Sequence, residues 1–585
     1  MTLLNIHIRT RATVSVRNGS FSVGSNTSYI ETEDAIIISS KSDFELWSSS
    51  GNGTEENPYM IDGFNITSVV PALVFENTSY HFILRNCSFV GDGFHDMYLL
   101  NYFFSVSSQE AIVVLDNVSN GKIVNCSTSN TSVGIALHNS EYCRVMNSSI
   151  TLSGCGILLE NSTSCVVRNS DISDSFYGIG LQETASSQVC ENTLLNCTQS
   201  AIYVSQTTAC GIINNKMTSG GIEFARFDEN PLRYFEHEIE GNEVGGRKIL
   251  YLRENHKRVL ACSNYSQIII VDSESITLRD GDFKNVSTAA LLAFSPGCSV
   301  IDSVISYSHS GVWIHESDNC SVKNTATQSC GVAVEVTTSE SFTASENQFS
   351  ACNQGFSLVN GSDCTISMND LDLVPGVLRA SGIWAYYSTG LSALNNSMHL
   401  DRNLTNNQMS LQNLETKSNW AGGGSNKIDP FIPKLTPVPY YRSGVAIHGM
   451  NEVSICRNNI SGFSYGVHMV NCNSSTIAQN QFREIMQSCI TLLPSCTNNF
   501  IYGNSFTADR IPLAVDYGIE NTWYNSTTGG NYWSNYGGWG PYLVGGDASS
   551  IDWYPNGQNA FLHVFISAVV VVGLFIVVLI RAKNA

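Results

Sequence analysis

Charge is scarce in this chain, and basic charge scarcest of all. Of 585 residues, 30 are Lys or Arg and 50 are Asp or Glu, a formal net charge of −20. That balance excludes the nucleic-acid-binding classes, whose surfaces are basic. With charged residues at 14 %, the surface must be solvated by uncharged polar groups, mainly Asn, Ser and Thr. The 18 cysteines are too sparse for a small disulfide scaffold, and their number leaves the redox compartment open. The opening residues MTLLNIHIRTRATVSV lack the apolar core of a secretory signal. Either the true start lies upstream or export uses another route. The length exceeds what one core of about 250–300 residues supports, so repeats or several domains are expected.

The repeat is there. GIALHNSEYC begins at Gly134, GILLENSTSC at Gly156 and GIGLQETASS at Gly178, steps of 22 and 22 residues. The pattern continues at Ala201 and Gly221, resumes at Ala289, Gly311, Gly331 and Gly355, and returns at Gly444, Gly466 and Cys489. Each unit alternates apolar and polar residues after a small opening residue (Ile135 in, Ala136 out, Leu137 in, His138 out), which is strand periodicity. No unit holds a run of helical spacing long enough for a helical solenoid, and none is long enough for a propeller blade. Three short strands joined by tight turns fit about 22 residues, and stacked coils ~4.8 Å apart bury an apolar row that one coil cannot. The predicted fold is therefore all-β, a right-handed parallel β-helix of three-strand coils, with roughly seventeen coils and a length on the order of 80 Å.

Stacking is visible at fixed phase. Cys143, Cys165, Cys210, Cys298, Cys320 and Cys364 fall ten residues into the unit and read as an inward column of small core residues, with disulfides between neighbouring coils as the rival reading. Asn147, Asn169, Asn192, Asn215, Asn324, Asn369, Asn459 and Asn480 sit near the second turn. There Asn tolerates a left-handed corner and can hydrogen-bond along the axis. Asn-x-Ser/Thr triplets, among them Asn77, Asn117, Asn161 and Asn285, are glycan acceptors on an exported protein or simply turn residues of the repeat.

The array is interrupted at 226–260, a charge-dense stretch, and at 392–442, which carries Gly422, Gly423, Gly424, Pro430, Pro433, Pro437 and Pro439. Both read as excursions from the shaft and as places where a binding face could be built; a solvated loop is the other reading. The domain plan is an N-terminal segment over 1–30, the β-helix over 31–520, an aromatic closing cap over 521–558 and an anchor over 559–585. The anchor rests on the end of the chain, where Phe561 opens and Ile580 closes 20 residues without formal charge. At ~1.5 Å per residue they match a bilayer core. Arg581 and Lys583 follow, and the positive-inside rule places them in the cytoplasm and the β-helix outside.

Three motifs carry a resemblance. GNGTEENPYMIDGFNIT (51–67), HEIEGNEVGGRKILYL (237–252) and GGNYWSNY (529–536) with IDWYP (551–555) resemble the opening segment, the interruption and the closing motif of the NosD-like β-helix proteins. That family is named after a periplasmic copper-enzyme maturation factor and is abundant on archaeal cell surfaces. The resemblance covers about residues 31–555 and implies the same β-helix. Family members often carry an acidic, Gly-rich loop of a kind that could hold calcium. Here the loop reads GGWGPYLVGGDASS, with Asp547 its only acid. The aromatic residues Tyr532, Trp533, Tyr536, Trp539, Tyr542, Trp553 and Tyr554 read as a lid over the last coil.

For chemistry, a hydrolase needs two carboxylates converging on one face. Asp171 and Asp174 flank a turn, Glu160 and Gln182 share an outward phase with His138, and Glu335 shares one with His315: mixed polar rows with no acid pair. Copper favours clustered His, Met or Cys, and His95 with Met97, Met398 with His399, and His468 with Met469 are isolated pairs. No cofactor, metal or catalytic residue is expected. Binding is the favoured activity, through Tyr203, Trp313 and Trp384 at an outward position where rings could stack on sugars; an excursion covering them is the alternative. The sequence reads as a single-pass cell-surface scaffold, adhesin or glycan-binding module whose partners are extracellular glycans or surface proteins. A polysaccharide lyase or hydrolase is the competing class.

Overall fold

The computed structural model describes residues 35–68, 71–93, 110–226, 230–375, 380–401, 442–507 and 512–556, and the backbone of four short strands between 7 and 32. The chain winds into a parallel β-helix of the right-handed type. Ile135, Ile157, Ile179, Ile202 and Ile222 lie in register on successive coils of one long sheet, all buried. The row resumes as Ile268, Ala290, Val312, Val334, Phe356, Ile383, Val445, Val467 and Ile490. The alternation read from the sequence thus becomes one apolar lumen running from Ile36 to Val544.

The small opening residue of each unit has a steric cause. A Cβ on Gly156 would stand 2.7 Å from the Gly178 carbonyl oxygen and 2.7 Å from the Ile172 side chain, because the strand bends there against the next coil. Corners are made by non-glycine residues in the left-handed region, Asn most often.

The shaft has two halves. An eight-stranded sheet flanks the long sheet in the first half, and two ten-stranded sheets complete the coils of the second. The charge-dense stretch 226–260 is mostly shaft and not excursion. Glu238–Glu240 pairs with Gly211–Ile213, Glu243–Val244 with Lys216–Met217, and Arg247–Arg253 with Tyr265–Val271; among the described residues only Arg226 and 230–237 leave the coil. Ser392–Leu394 and Ser397–Leu400 likewise remain in their sheets, and 402–441 lies outside the described residues.

Where the halves meet, no regular strand pair links Ile222–Phe224 to the second half, and the Gln267 side chain completes the ladder. Its Oε1 accepts the Ile222 N–H at 2.9 Å, and its Nε2 donates to the carbonyls of Ile222 at 2.7 Å and Thr288 at 2.8 Å.

Both ends are plugged. Ser40 and Asp43 form a capping box for the helix Lys41–Trp47, and its buried Phe44 stacks on Tyr59 at 5.0 Å and packs on Phe75 and Phe82 of the first coils. At the other end Tyr542 stacks on buried Trp533 at 3.9 Å. The expected membrane span, 561–580, lies outside the described residues; among the described residues no helix is long and apolar enough to cross a membrane.

The asparagines divide into two kinds. Asn347, Asn369, Asn396, Asn458, Asn480, Asn504 and Asn531 form a buried ladder, joined Nδ2 to Oδ1 at 2.9–3.0 Å. Asn192, Asn215 and Asn242 do the same in the first half. The acceptor Asn369 Oδ1 also takes the Asn347 N–H at 3.0 Å, and Asn369 Nδ2 also donates to the Ala344 carbonyl, so the carboxamide is fully satisfied. Asn147, Asn169 and Asn324 are not ladder residues: they occupy the exposed left-handed corner (φ 51°, 51° and 48°), one residue before buried Ser148, Ser170 and Thr325.

Candidate functional site

Between two lumen residues on each long-sheet strand stands one outward residue. In the first half that row runs Val114, Ala136, Leu158, Gly180, Tyr203 and Glu223. Most of it belongs to a second apolar cluster, outside the lumen, with Val133, Cys155 and Tyr177. Tyr203 is buried there, its ring 5.2 Å from that of Tyr177, and so presents no open platform for a sugar.

Further along, the row runs Leu291, Trp313, Glu335, Ser357, Trp384, Ala446 and His468. Trp313 is 1 % exposed, which overturns its reading as an exposed sugar-stacking ring. The segment leaving the coil covers it. Arg226 lies over the indole at 4.6 Å, Phe235 packs at 6.1 Å, and the indole N–H donates to Thr337 Oγ1 at 3.0 Å. His315 is in register with Thr337, not with Glu335, and is tied to Thr337 Oγ1 and the Asn230 carbonyl; burial lowers its pKa to about 4.

Arg226 also gathers an acid pair that sequence reasoning missed. Its Nε donates to Glu335 at 2.9 Å, Nη1 to Glu223 at 3.2 Å, and Nη2 to Ser310 at 2.9 Å and Thr288 at 3.2 Å. Burial raises the Glu223 pKa, with Arg226 pulling the other way. Two carboxylates do converge, but one guanidinium between them donates to both, which makes the group an anchoring node and not an acid–base couple. Their shared outward phase was the available signal; the intervening 110 or so residues hid it.

Trp384 is the candidate that remains half-exposed. Its ring lies nearly parallel to that of Tyr386 (5.8 Å, 9°), and Tyr386 lies nearly parallel to His448 of the next coil (4.8 Å, 12°). Tyr387, 46 % exposed, borders this stack. It leans over Gly449, where a Cβ would meet its ring at 2.7 Å. In the outer row, half-buried Ala446 separates Trp384 from His468. Two rungs, ~9.6 Å, thus part the two rings above a floor of one methyl group. On the strand of Ala446, His448 Nδ1 and Ser443 Oγ are buried without a hydrogen-bond partner among the described residues, as is Thr491 Oγ1 one coil beyond His468, and burial lowers the His448 pKa.

The six column cysteines are buried and carry free thiols. Ser187 interrupts the column, and His237 extends it, its Nδ1 accepting the Cys210 N–H at 3.2 Å. Asn77, Asn117, Asn161 and Asn285 are exposed at left-handed corners. Asn117 Nδ2 donates to Asn77 Oδ1 at 2.9 Å and Asn161 Nδ2 to Asn139 Oδ1 at 2.6 Å.

A charge-poor, three-faced solenoid plugged at both ends, with an aromatic platform on its long sheet, defines a parallel β-helix protein built on stacked coils. The family model described as "Periplasmic copper-binding protein (NosD)" matches residues 101–255, 235–427 and 439–538, and the chain belongs to the NosD family. No curated protein matches it. Among solved structures, DFA-IIIase from Arthrobacter chlorophenolicus A6 is 10 % identical, over 64 % of this chain and 85 % of that one, with a TM-score of 0.19. PfbA, a surface adhesin of Streptococcus pneumoniae, is 8 % identical over 73 % and 85 %, TM-score 0.22. The periplasmic alginate epimerase AlgG is 13 % identical over 64 % and 85 %, TM-score 0.20. Values this low carry no function across.

Copper does not fit the described residues. Met398 and Met469 are wholly buried in the lumen cluster, whereas His399 and His468, their neighbours on the strand, face outward, so neither pair can hold one ion. Most of the thiols sit in the lumen, and among the described residues no three His, Cys, Asp or Glu are grouped to hold a metal. His95 and Met97 lie outside the described residues.

Proposed function

We propose that this protein is a cell-surface glycan-binding module, held to the membrane by 561–580, that takes a sugar chain on the platform of Trp384, Tyr386, Tyr387 and His448. The observation that carries this reading is the coincidence of near-parallel stacked rings, one of them half-exposed, with His448 Nδ1 and Ser443 Oγ, which have no hydrogen-bond partner among the described residues, on the strand that floors the slot with Ala446. Sugars present flat C–H faces to aromatic rings and hydroxyls to imidazole and serine. The 20 uncharged residues and the Arg581 and Lys583 that follow support anchorage with the shaft outside. Exposed triplets such as Asn77 and Asn285 are then available for glycosylation.

The test is a glycan array probed with residues 35–556 and with the same shaft carrying Trp384→Ala. Binding to at least one glycan class is expected, weakened tenfold or more by the substitution while the β-sheet circular dichroism stays unchanged. No bound glycan, or equal binding by both proteins, overturns the reading.

A further inference from the structure

The closing cap has an apolar outer face. Tyr542–Leu543 pairs antiparallel with Ile551–Asp552, Tyr542 opposite Asp552 and Leu543 opposite Ile551. Asp552 is fully buried and Tyr542 stacks on Trp533, so both point toward the shaft. By strand alternation Leu543, Ile551 and Trp553 share the opposite face. Leu543 is 71 % exposed and Trp553 55 %, with Trp539 at 72 % and Tyr554 at 53 % close in the chain.

This face closes the rod where the chain departs. Gly530 N–H donates to the Tyr554 carbonyl at 3.1 Å, Trp533 N–H to the Asn556 carbonyl at 2.7 Å, and Asn556 N–H to the Asn531 carbonyl at 2.8 Å. Residues 554–556 are thus the last rung among the described residues. The residues 557–560 separate that rung from Phe561, where the uncharged run begins; stretched out, they reach no more than ~17 Å. No Lys or Arg occurs from 512 to 556, so charge would not draw this face to acidic lipid.

We propose that the outer face of the cap docks on the lipid surface of the membrane that 561–580 crosses, with Leu543, Trp553 and the neighbouring Trp539 in the headgroup layer. The inference rests on the anchor proposed above. Trp and Tyr favour that layer because one part of each ring is apolar and the other donates a hydrogen bond. The short tether holds the face within reach of it, and burying Leu543 and Trp553 removes an exposed apolar surface that a monomer rarely carries. Docking by a rigid cap would stand the rod off the membrane and turn the glycan platform away from it.

The hydrophobic run contains no Trp, so tryptophan quenching reports residues outside it, and the double variant isolates the contribution of the cap. The full chain is reconstituted into phosphatidylcholine vesicles with lipid brominated near the headgroup, and flotation of the vesicles reports anchorage separately. Expected is co-flotation, with fluorescence quenched relative to unbrominated vesicles and that quenching lost in the double variant Trp539→Ser, Trp553→Ser, which still floats. Co-flotation without quenching, or quenching unchanged in the double variant, overturns the docking and leaves the anchor standing. Failure to float removes the anchor and this inference together. Cap-to-cap crosslinks without quenching assign the face to a second copy and likewise overturn it.

Discussion

A thiol in the lumen of a solenoid is chemically silent for as long as the coil above it stays in place. Burial pushes Cys210 and Cys364 up to about 11 and Cys197 and Cys320 to about 12, and only the thiolate is nucleophilic. Cys190 and Cys456 alone are half-buried. A maleimide applied to the native protein at neutral pH should therefore label these two, and the other sixteen of 18 only after urea. Native labelling of Cys143 or Cys320 would contradict a closed lumen, and fewer than 18 labelled thiols in urea without reductant would reveal disulfides. The column was legible in the sequence because burial inside a solenoid follows phase alone. The burial of Tyr203 and Trp313 was not, because the outer face is covered by residues distant in the chain: Phe235 reaches Trp313 from 78 positions away.

At the scale of the element, the asparagine ladder needs an end. A carboxamide in the last coil would leave donors with no coil beyond to accept them. Asp552 supplies the terminus, its Oδ2 accepting the Asn531 N–H at 2.7 Å and the Trp533 indole N–H at 2.9 Å, and its Oδ1 the Tyr554 N–H at 3.0 Å. The shorter ladder of Asn499 and Asn521 ends the same way on Asp516, which also takes the Trp523 indole N–H at 2.8 Å. Replacing Asp552 with Ala strands several buried donors at ~1–3 kcal/mol each. Asp552→Ala should destabilise the cap by about 3–5 kcal/mol, read as fast amide exchange over 529–556 with the middle coils still protected. Asp552→Asn, which keeps one acceptor, should lose less; equal protection in Asp552→Ala and the unsubstituted chain would deny Asp552 this role. The closing motif could be recognised from GGNYWSNY and IDWYP, but the aromatic residues drew the reading and the carboxylate between them did not. A buried acid at a ladder end is recognisable only once the ladder is seen. The opposite plug was within reach: Ser40 and Asp43 have the spacing of a capping box that opens a short helix carrying Phe44 and Trp47.

For the whole molecule, a stack of coils is stabilised by nearest neighbours, so its cooperativity is only as long as its weakest interface. That interface lies between the halves, where regular strand pairing gives way to side chains. Gln267 bridges Ile222 and Thr288 inside the ladder. Arg226 ties Glu223 of the first half to Thr288, Ser310 and Glu335 of the second on the outer face. Gln267→Leu leaves the Ile222 N–H and the Thr288 carbonyl unpaired and the Ile222 carbonyl with only the long Ser287 Oγ contact, and Arg226→Met leaves buried Glu223 and half-buried Glu335 without their counter-charge, a loss of about 3–5 kcal/mol for a pair broken on one side. Neither substitution touches a lumen contact of any other coil, so each half keeps its own stability while the coupling between them falls. In differential scanning calorimetry the double variant should unfold in two separated steps where the unsubstituted shaft unfolds more cooperatively, with amide exchange assigning the first step to one half. A single transition of undiminished sharpness would mean that the pairing of Arg247–Arg253 with Tyr265–Val271 couples the halves by itself, and that the two polar bolts align the coils without joining them.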